Sequence, residues 1–540
     1  MSAKILQKVF LHFFYFMKEI LMAKKFSFTG IKRIEIPKTD LDFNVEDFGL
    51  SILVKYMPSI LSTHKQNSEK IEYLWNYKNG IQDILEKQRP FLKSFLANNI
   101  VIENHASRQV DFKTALATSE RRDYTIKPDV KNSKEIQDDI TYFYRYQTDT
   151  NFYGKDKDLK EWIFTTGIGI TYTCPRTDII TQKDGIYNFA TLEDGYDINS
   201  EAPFEFNTLS PIDNFVVYSS SRNKQPLFCV SIVEVEKDET ANVTTINKQK
   251  EIHIETRYAS FILNSTMSFG SLNNYNLEKI KIHNYLPMIE YSANISRIGI
   301  IEKNKELFDS INSLVSTMLD IVVDGSNLIL IFKNTDVDKK TIENMKDAGA
   351  LIINDNPAKQ NSVADVDTLK ISVPIDSFNV YYEQRIKQAD DIVGVASPSG
   401  QVTSGGDTGQ ARLLGGGWNN AYTIILNEIN SFLIGDYEEL KLILYICNLF
   451  PDNPINKLKA SMIDIKYRIN QNDNFLVKAQ GIMNLYTVNM PKEEILKASG
   501  LFSDVGAVAK KWQENDDMVN EQKNKTTSIS ETKLNNNSQE

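Results

Sequence analysis

Two apolar stripes of the same pitch, separated by a short insert and followed by a glycine-rich stretch, restrict what this chain can fold into. In the first stripe Leu307, Ile311, Leu314, Met318 and Val322 step by four, three, four and four. That spacing draws one face of a helix of about six turns at 3.6 residues each, and Gly325 offers a stop. In the second stripe Ile375, Phe378, Tyr382, Ile386, Ala389, Val393 and Ala396 step by three, four, four, three, four and three. This predicts a second long helix with a narrow seam, ended by Pro398 because proline cannot continue a helix. Between them, 327–373 reads as short strand-like pieces and a charged helix around Thr341 to Ala348. Stripes of this kind mark ordinary core helices too. The order of helix, small insert and helix suggests instead a hairpin carrying a compact module, with little in one chain to pack on. Neighbouring copies in a ring would cover it.

The stretch after the second stripe, "SPSGQVTSGGDTGQARLLGGGW", contains seven glycines, and its only charges are Asp407 and Arg412. A glycine-rich loop before a helix invites a phosphate-binding reading, since free backbone N–H groups hold anions. The nucleotide-binding loop, however, needs a lysine at fixed spacing, and no lysine occurs between Lys387 and Lys441. A nucleotide site is not expected.

The remaining chain predicts an α+β protein of two to four packed regions, as 540 residues demand. Asp47 to Leu96 carries helical spacing, and "LWNYKNGIQDILEKQRP" reads as a helix, a turn at Gly80 and a second helix stopped by Pro90. "NNIVIENHASRQVDFKTALA" reads as a short strand and an amphipathic helix, and Lys134 to Trp162 is again helical in pattern. "WIFTTGIGITYTCP", "NFVVYSSS", "LFCVSIVEVE" and "EIHIETRYASFIL" read as strands. Tyr422 to Phe450 is a third long, largely buried helix, and "ASMIDIKYRI" a strand. Asn474 to Trp512 is helical with interruptions at Pro491 and Gly500. From Gln513 onward few large apolar groups remain, which predicts disorder.

Chemistry is conspicuous by what the sequence excludes. The net charge of -10 argues against tight nucleic-acid binding by the chain as a whole, so any DNA contact is local or weak. Cys174, Cys229 and Cys447 have no paired spacing, and the five histidines His12, His64, His105, His253 and His283 form no spaced pair, so no disulfide framework, zinc site or other cofactor is expected. No G-x-S-x-G nucleophile elbow occurs. "TDVDKK" and "DNPAKQNSVADVD" lack the spacing of a calcium-binding EF-hand loop. The apolar run near the start holds His12, lacks a cleavage site and is too short to span a bilayer. Met22 followed by Ala23, Lys24 and Lys25 reads as a bacterial start, which would make residues 1–21 an over-called upstream extension.

Five motifs in order resemble the portal proteins of tailed bacteriophages, specifically the siphophage type of Gram-positive hosts. "NYKNGIQDILEKQRP" followed by "NNIVIENHASRQVDFKTA" is similar to that family's amino-terminal helical signature, and "LSPIDNFVVYSSS" to its wing strand. "LPMIEYSAN" and "LFDSINSLVSTMLD" resemble its proline strand and first stem helix. "ADDIVGVASPSGQVTSGGDTGQA" resembles the end of the second stem helix and the tunnel loop. One departure is Gly415, Gly416 and Gly417, which stand where the family usually keeps a continuous helix, so either the loop extends to Gly417 or the helix kinks there.

The resemblance implies a portal fold assembling as a ring, typically a dodecamer, with wing, stem, clip and crown. Carried onto this chain, 1–39 is an amino-terminal extension, 40–301 the wing, 302–324 and 375–396 the stem helices, and 325–374 the clip. The tunnel loop is 397–417, a long helix and strand fill 418–472, the crown is 473–522, and 523–540 is a disordered tail. The implied DNA-facing residues are Ser397, Ser399, Gln401, Thr403, Ser404, Gly405, Gly406, Asp407, Thr408, Gln410 and Arg412. The seams of the stem are Leu307, Ile311, Leu314, Met318, Val322, Phe378, Tyr382, Ile386 and Val393. Implied partners are double-stranded DNA, the terminase large subunit, a head-tail adaptor, and the major capsid and scaffolding proteins, with no membrane. The implied place is the portal vertex of the virion, after assembly in the bacterial cytoplasm. A DNA-processing enzyme and a non-viral structural ring are the alternatives.

Overall fold

The computed structural model describes residues 29–37, 50–86, 98–127, 130, 133–176, 180–183, 186–189, 197–237, 247–264, 281–282, 284–326, 329–333, 365–369, 375–396, 418–450, 453–467, 469, 475–499 and 508–518. Helices and several small sheets make an α+β protein. The chain forms two compact units, one drawn from Met1–Leu74, Val110–Glu302 and Gly394–Glu540, the other from Trp75–Gln109 and Lys303–Val393.

Strand β1 (Ile34–Ile36) precedes helix α1 (Leu50–Lys78). In α1 the buried stripe is Leu53, Met57, Ile60, His64, Asn67, Ile71 and Leu74. The two polar members are satisfied by backbone. Asn67 donates to the Lys32 carbonyl at 2.7 Å and accepts from the Lys32 N–H at 3.2 Å. The His64 Nε2 lies 2.9 Å from the Ile212 carbonyl, and its ring stacks on Phe215 at 3.9 Å.

His64 is a histidine the fold keeps neutral. Burial pulls its pKa down from 6.5 to about 4, with the Ile212 carbonyl partly opposing. A base held below its ordinary pKa stabilises the fold above that ordinary value, and the contribution is lost as pH falls from 6.5 through about 4. His64→Phe is therefore expected to remove about 3 kcal/mol of the stability change between pH 7 and pH 3.5. Urea unfolding of both proteins at the two pH values checks this, and parallel losses would refute it.

Helix α2 (His105–Ala117), strand β2 (Asp123–Ile126), helix α3 (Ser133–Asp149) and helix α4 (Phe152–Thr166) follow. The single helical stretch expected from Lys134 to Trp162 is two helices, because Asn151 adopts the left-handed conformation at φ 50° and turns the chain.

Strands β3 (Ile168–Pro175), β4 (Ile180–Lys183), β5 (Ile186–Phe189), β6 (Phe204–Leu209), β7 (Asn214–Ser219), β8 (Pro226–Lys237), β9 (Asn247–Thr256), β10 (Ala259–Asn264), β11 (Lys281–Ile282) and β12 (Met288–Ser292) come next. They form a six-stranded sheet in the order β1-β7-β8-β9-β10-β11, a three-stranded sheet β12-β3-β6 and a hairpin β4-β5. β1 runs parallel to β7. Leu53, Met57 and Ile60 of α1 bury against Phe215, Val217, Phe228, Val230, Ile254 and Phe261 of the larger sheet. Alternation along β7 and β8 leaves one face for that helix, as the sequence pattern predicts.

Helix α5 (Ile300–Ser326), the antiparallel pair β13 (Ile329–Lys333) and β14 (Asp365–Leu369), and helix α6 (Ile375–Val393) complete the second unit. Helix α7 (Trp418–Asn448), strand β15 (Ile463–Lys466), helix α8 (Phe475–Thr487), helix α9 (Lys492–Ser499) and helix α10 (508–518) close the chain. β15 pairs with β2. Around that pair Ile140, Phe143 and Tyr146 of α3 and Leu440, Ile443 and Cys447 of α7 form a second core.

Three further expectations are corrected. Residues 513–518 are helical rather than disordered, since Trp512 of α10 stacks on Tyr486 at 5.4 Å and Lys492 pairs with Asp516. After Gly80 the chain makes only a short 3-10 turn, Asp83–Glu86, instead of starting a second helix, and Pro90 lies outside the described residues. Finally, "NNIVIENH" is extended but pairs with no described strand. Its alternate N–H groups bond helix side chains: Asn99 to Asp320 at 2.7 Å, Val101 to Ser316 at 3.0 Å and Glu103 to Asn312 at 3.0 Å. Two extended residues advance ~6.7 Å and four helical residues ~6.0 Å, so an extended segment can read every fourth residue of α5.

Candidate functional site

The loop residues Ser397 to Arg412, together with Gly415–Gly417, lie outside the described residues; the structure describes the loop's two roots. Helix α6 ends at Val393, earlier than 396, and Pro398 lies outside the described residues. The stop is Gly394, at φ 69°, a left-handed conformation that favours glycine. A Cβ there would stand 2.4 Å from the Ile424 Cδ1, so the chain leaves the helix pressed against the second turn of α7. Val395 and Ala396 are buried behind it. The far root is Trp418, whose ring lies 5.7 Å from Phe112 and 6.0 Å from Tyr422. Both ends of 397–417 thus return to the same end of α7.

That end of α7 is held firmly. Ala421 and Ile425 are fully buried, and the Lys113 ammonium, itself buried, reaches the Glu428 carboxylate at 2.6 Å. Lys113 also lies 5.9 Å from the Phe164 ring. A buried cation paired at this distance fixes the direction of both helices, because breaking the pair would strand a charge.

The predicted seams divide along their length. Of the first stripe, Ile311 is fully buried, Leu307, Leu314 and Met318 are half-buried, and Val322 is 48 % exposed. Leu319 and Val323 beside it are exposed as well. Of the second, Val393 is buried, Phe378, Tyr382 and Ile386 are half-buried, and Ile375, Val380 and Tyr381 are exposed. The two helices meet where the Asn304 amide donates to the Ala389 carbonyl at 2.8 Å. Apolar cover is complete near that meeting and thins away from it.

Sequence reasoning missed the polar stripe that organises the covered end. The Asn304 amide also donates to the Gln109 side chain at 2.8 Å, and Gln109 donates to Asp390 at 2.9 Å. Arg108 Nη2 reaches both oxygens of Asp390, at 2.5 and 2.7 Å. Tyr382, expected as an apolar seam residue, also donates its hydroxyl to Glu103 at 2.7 Å. Burial and that carboxylate push the phenol up to about 12. The readable signal was Asn304, Asn312, Ser316 and Asp320, all in one four-residue register of α5.

Among the described residues no group of histidine, cysteine and carboxylate side chains is placed to hold a metal ion, and no helix is long and apolar enough to cross a membrane. Compared with known families, residues 59–522 match the family described as phage portal protein, SPP1 Gp6-like. The chain belongs to that phage portal protein family. The match runs from α1 to beyond α10 and takes in both units and both loop roots. No curated protein matches the chain. The chain is therefore a phage portal protein, a bacteriophage virion component used in DNA packaging. Portal proteins are structural rather than enzymatic, and membership implies a homo-oligomeric ring engaging capsid, terminase and DNA.

Proposed function

We propose that this portal protein forms a dodecameric ring at one capsid vertex, through which the terminase large subunit drives DNA inward and from which DNA later leaves. In this reading 40–301 is the wing, 302–324 and 375–396 the stem, 325–374 the clip that receives terminase and then the head-tail adaptor, and 473–522 the crown. The single observation that carries it is the family match across 59–522. The thinning apolar cover on α5 and α6 supports it, since Leu319, Val322, Val323, Val380 and Tyr381 are large apolar groups left open within one chain and a neighbouring stem would bury them.

The loop 397–417 serves as the DNA-facing element. B-DNA carries one charge per about 1.7 Å, so each added lysine or arginine contributes an attractive, salt-sensitive term. Asp407 and Arg412 cancel, while Ser399, Gln401, Thr403 and Gln410 offer neutral hydrogen bonds. Such a loop touches phosphate without capturing it.

Negative-stain images of the purified full-length chain, combined with native mass spectrometry, test the assembly. A channelled ring wide enough for duplex DNA, of twelve subunits, is expected. Val322→Glu is expected to shift the population toward free subunits by tenfold or more at equal concentration. A parent protein that never closes into a ring would end this reading.

A further inference from the structure

Seven side chains from separate segments of the first unit meet in its interior. Arg122, just before β2, places Nη1 2.5 Å from the Asp436 carboxylate of α7 and Nη2 3.0 Å from the Asp156 carboxylate of α4. Lys160 of α4 lies 3.5 Å from Asp156 and donates to the Tyr467 hydroxyl at 3.1 Å, and Tyr467, just beyond β15, donates to Asp436 at 2.7 Å. Glu439, one turn after Asp436 on α7, accepts the Tyr291 hydroxyl of β12 at 2.8 Å. Arg122, Asp156, Lys160, Tyr291, Asp436 and Glu439 are all buried.

The charges do not balance if every group ionises. Arg122 and Lys160 carry two positive charges, which Asp156 and Asp436 cancel, so an ionised Glu439 would be a surplus anion. Among the described residues Tyr291 is the one donor to Glu439, and its Oε1 has no hydrogen-bond partner. A buried carboxylate with a single donor is poorly stabilised. The same part of α7 is tightly seated: a Cβ at Gly435 would stand 2.4 Å from the Tyr291 ring.

We propose that Glu439 is a proton-operated latch, which holds α7 against β12 while it carries a proton and loosens that contact when the proton is lost to water. Among the described residues, the charged and titratable groups around it are Tyr291 from β12, Arg122 and Tyr124 from the segment entering and forming β2, Asp156 and Lys160 from α4, Asp436 from α7 and Tyr467 beyond β15. Burial raises the Glu439 carboxyl from 4.5 to about 7, reinforced by Asp436 and Asp156 and opposed by Arg122 and the Tyr291 hydrogen bond. A carboxyl held above its ordinary value stabilises the fold while protonated. Its contribution is complete below 4.5 and is lost as pH rises through about 7. The latch rests on the contacts of α7 with β12 alone and does not depend on the channel reading.

The test uses the full-length chain without DNA. For Glu439 alone, the folding equilibrium constant is expected to fall about tenfold between pH 6 and pH 8.5. Glu439→Gln should show a pH slope shallower by that factor, and slower amide exchange along α7 at pH 8.5 after correction for intrinsic rates. Equal slopes in the two proteins would overturn the latch. Should Glu439→Gln not fold, infrared difference spectra of the parent decide: a protonated-carboxyl band lost between pH 6 and pH 8.5 supports the proposal, and its absence overturns it. Neither readout depends on ring formation, so a failed latch leaves the portal assignment standing.

Discussion

Arg122→Met is expected to destabilise the first unit by about 3–5 kcal/mol, the range for removing one partner of a buried charge network. The guanidinium is 2 % exposed and bridges two buried carboxylates, at 2.5 Å to Asp436 and 3.0 Å to Asp156. Among the described residues, its removal leaves Asp436 with the Tyr467 hydroxyl alone, and Asp156 with Lys160 at 3.5 Å. Two anions in a dry interior repel, and neither can reach water. Neutralising both carboxylates as well, in Arg122→Met/Asp156→Asn/Asp436→Asn, should recover a large part of the loss, because it is the stranded charge that is expensive. Urea unfolding at pH 7 measures all three proteins. A loss below about 1 kcal/mol for Arg122→Met would show that the network is hydrated or relaxes freely. A triple variant no better than the single one would place the cost in packing instead: the guanidinium lies 4.7 Å from the Phe152 ring.

Ser399→Lys/Thr403→Lys is expected to slow or stall DNA packaging while leaving assembly of the chain unchanged. The substitutions turn a loop with no net charge, Asp407 against Arg412, into one carrying two surplus cations per subunit. Each phosphate neutralised steepens the salt dependence by about 0.9 log units per log unit of salt. A ring repeats that gain at every subunit, so the drag accumulates. In a packaging assay with terminase, the rate should drop tenfold or more near 0.1 M salt and recover as salt rises. An unchanged rate and unchanged packaged length would remove the loop from the DNA path. A loss of rate that salt does not relieve would mean a changed loop conformation rather than electrostatic grip.

Much of the fold was legible because it depends on local repetition. The stripe from Leu307 to Val322 and the seam from Ile375 to Val393 lie on α5 and α6, and "NFVVYSSS" and "LFCVSIVEVE" lie on β7 and β8. Where expectation and structure part, a longer-range contact decided. Asn151 divides a helical pattern because its left-handed turn lets α4 pack on β3 and β6. "NNIVIENH" has a strand's composition, yet its N–H groups find Asp320, Ser316 and Asn312. The helix before the loop ends at Gly394, where Ile424 presses on the turn, and not at Pro398. The helical spacing before Trp512 carries on to 518, where Tyr486 and Lys492 give it partners.

The candidate site was legible in one respect and hidden in another. Its chemistry, a glycine-rich loop with cancelling charges and no lysine, is a matter of composition and can be read by eye. Its attachment cannot, since the roots at Gly394 and Trp418 are defined by Ile424 and Phe112.

By itself the sequence determined the periodicities, the absence of spaced metal and nucleotide motifs, and the family, because each of these resides in the order of neighbouring residues. Only the tertiary structure decided which charges were to be buried together. Arg122, Asp156, Lys160, Tyr291, Asp436, Glu439 and Tyr467 are scattered along the chain, and nothing local marks them as partners. The physical reason is that a charge's free energy depends on the dielectric and the counter-charges around it, and folding supplies both at once.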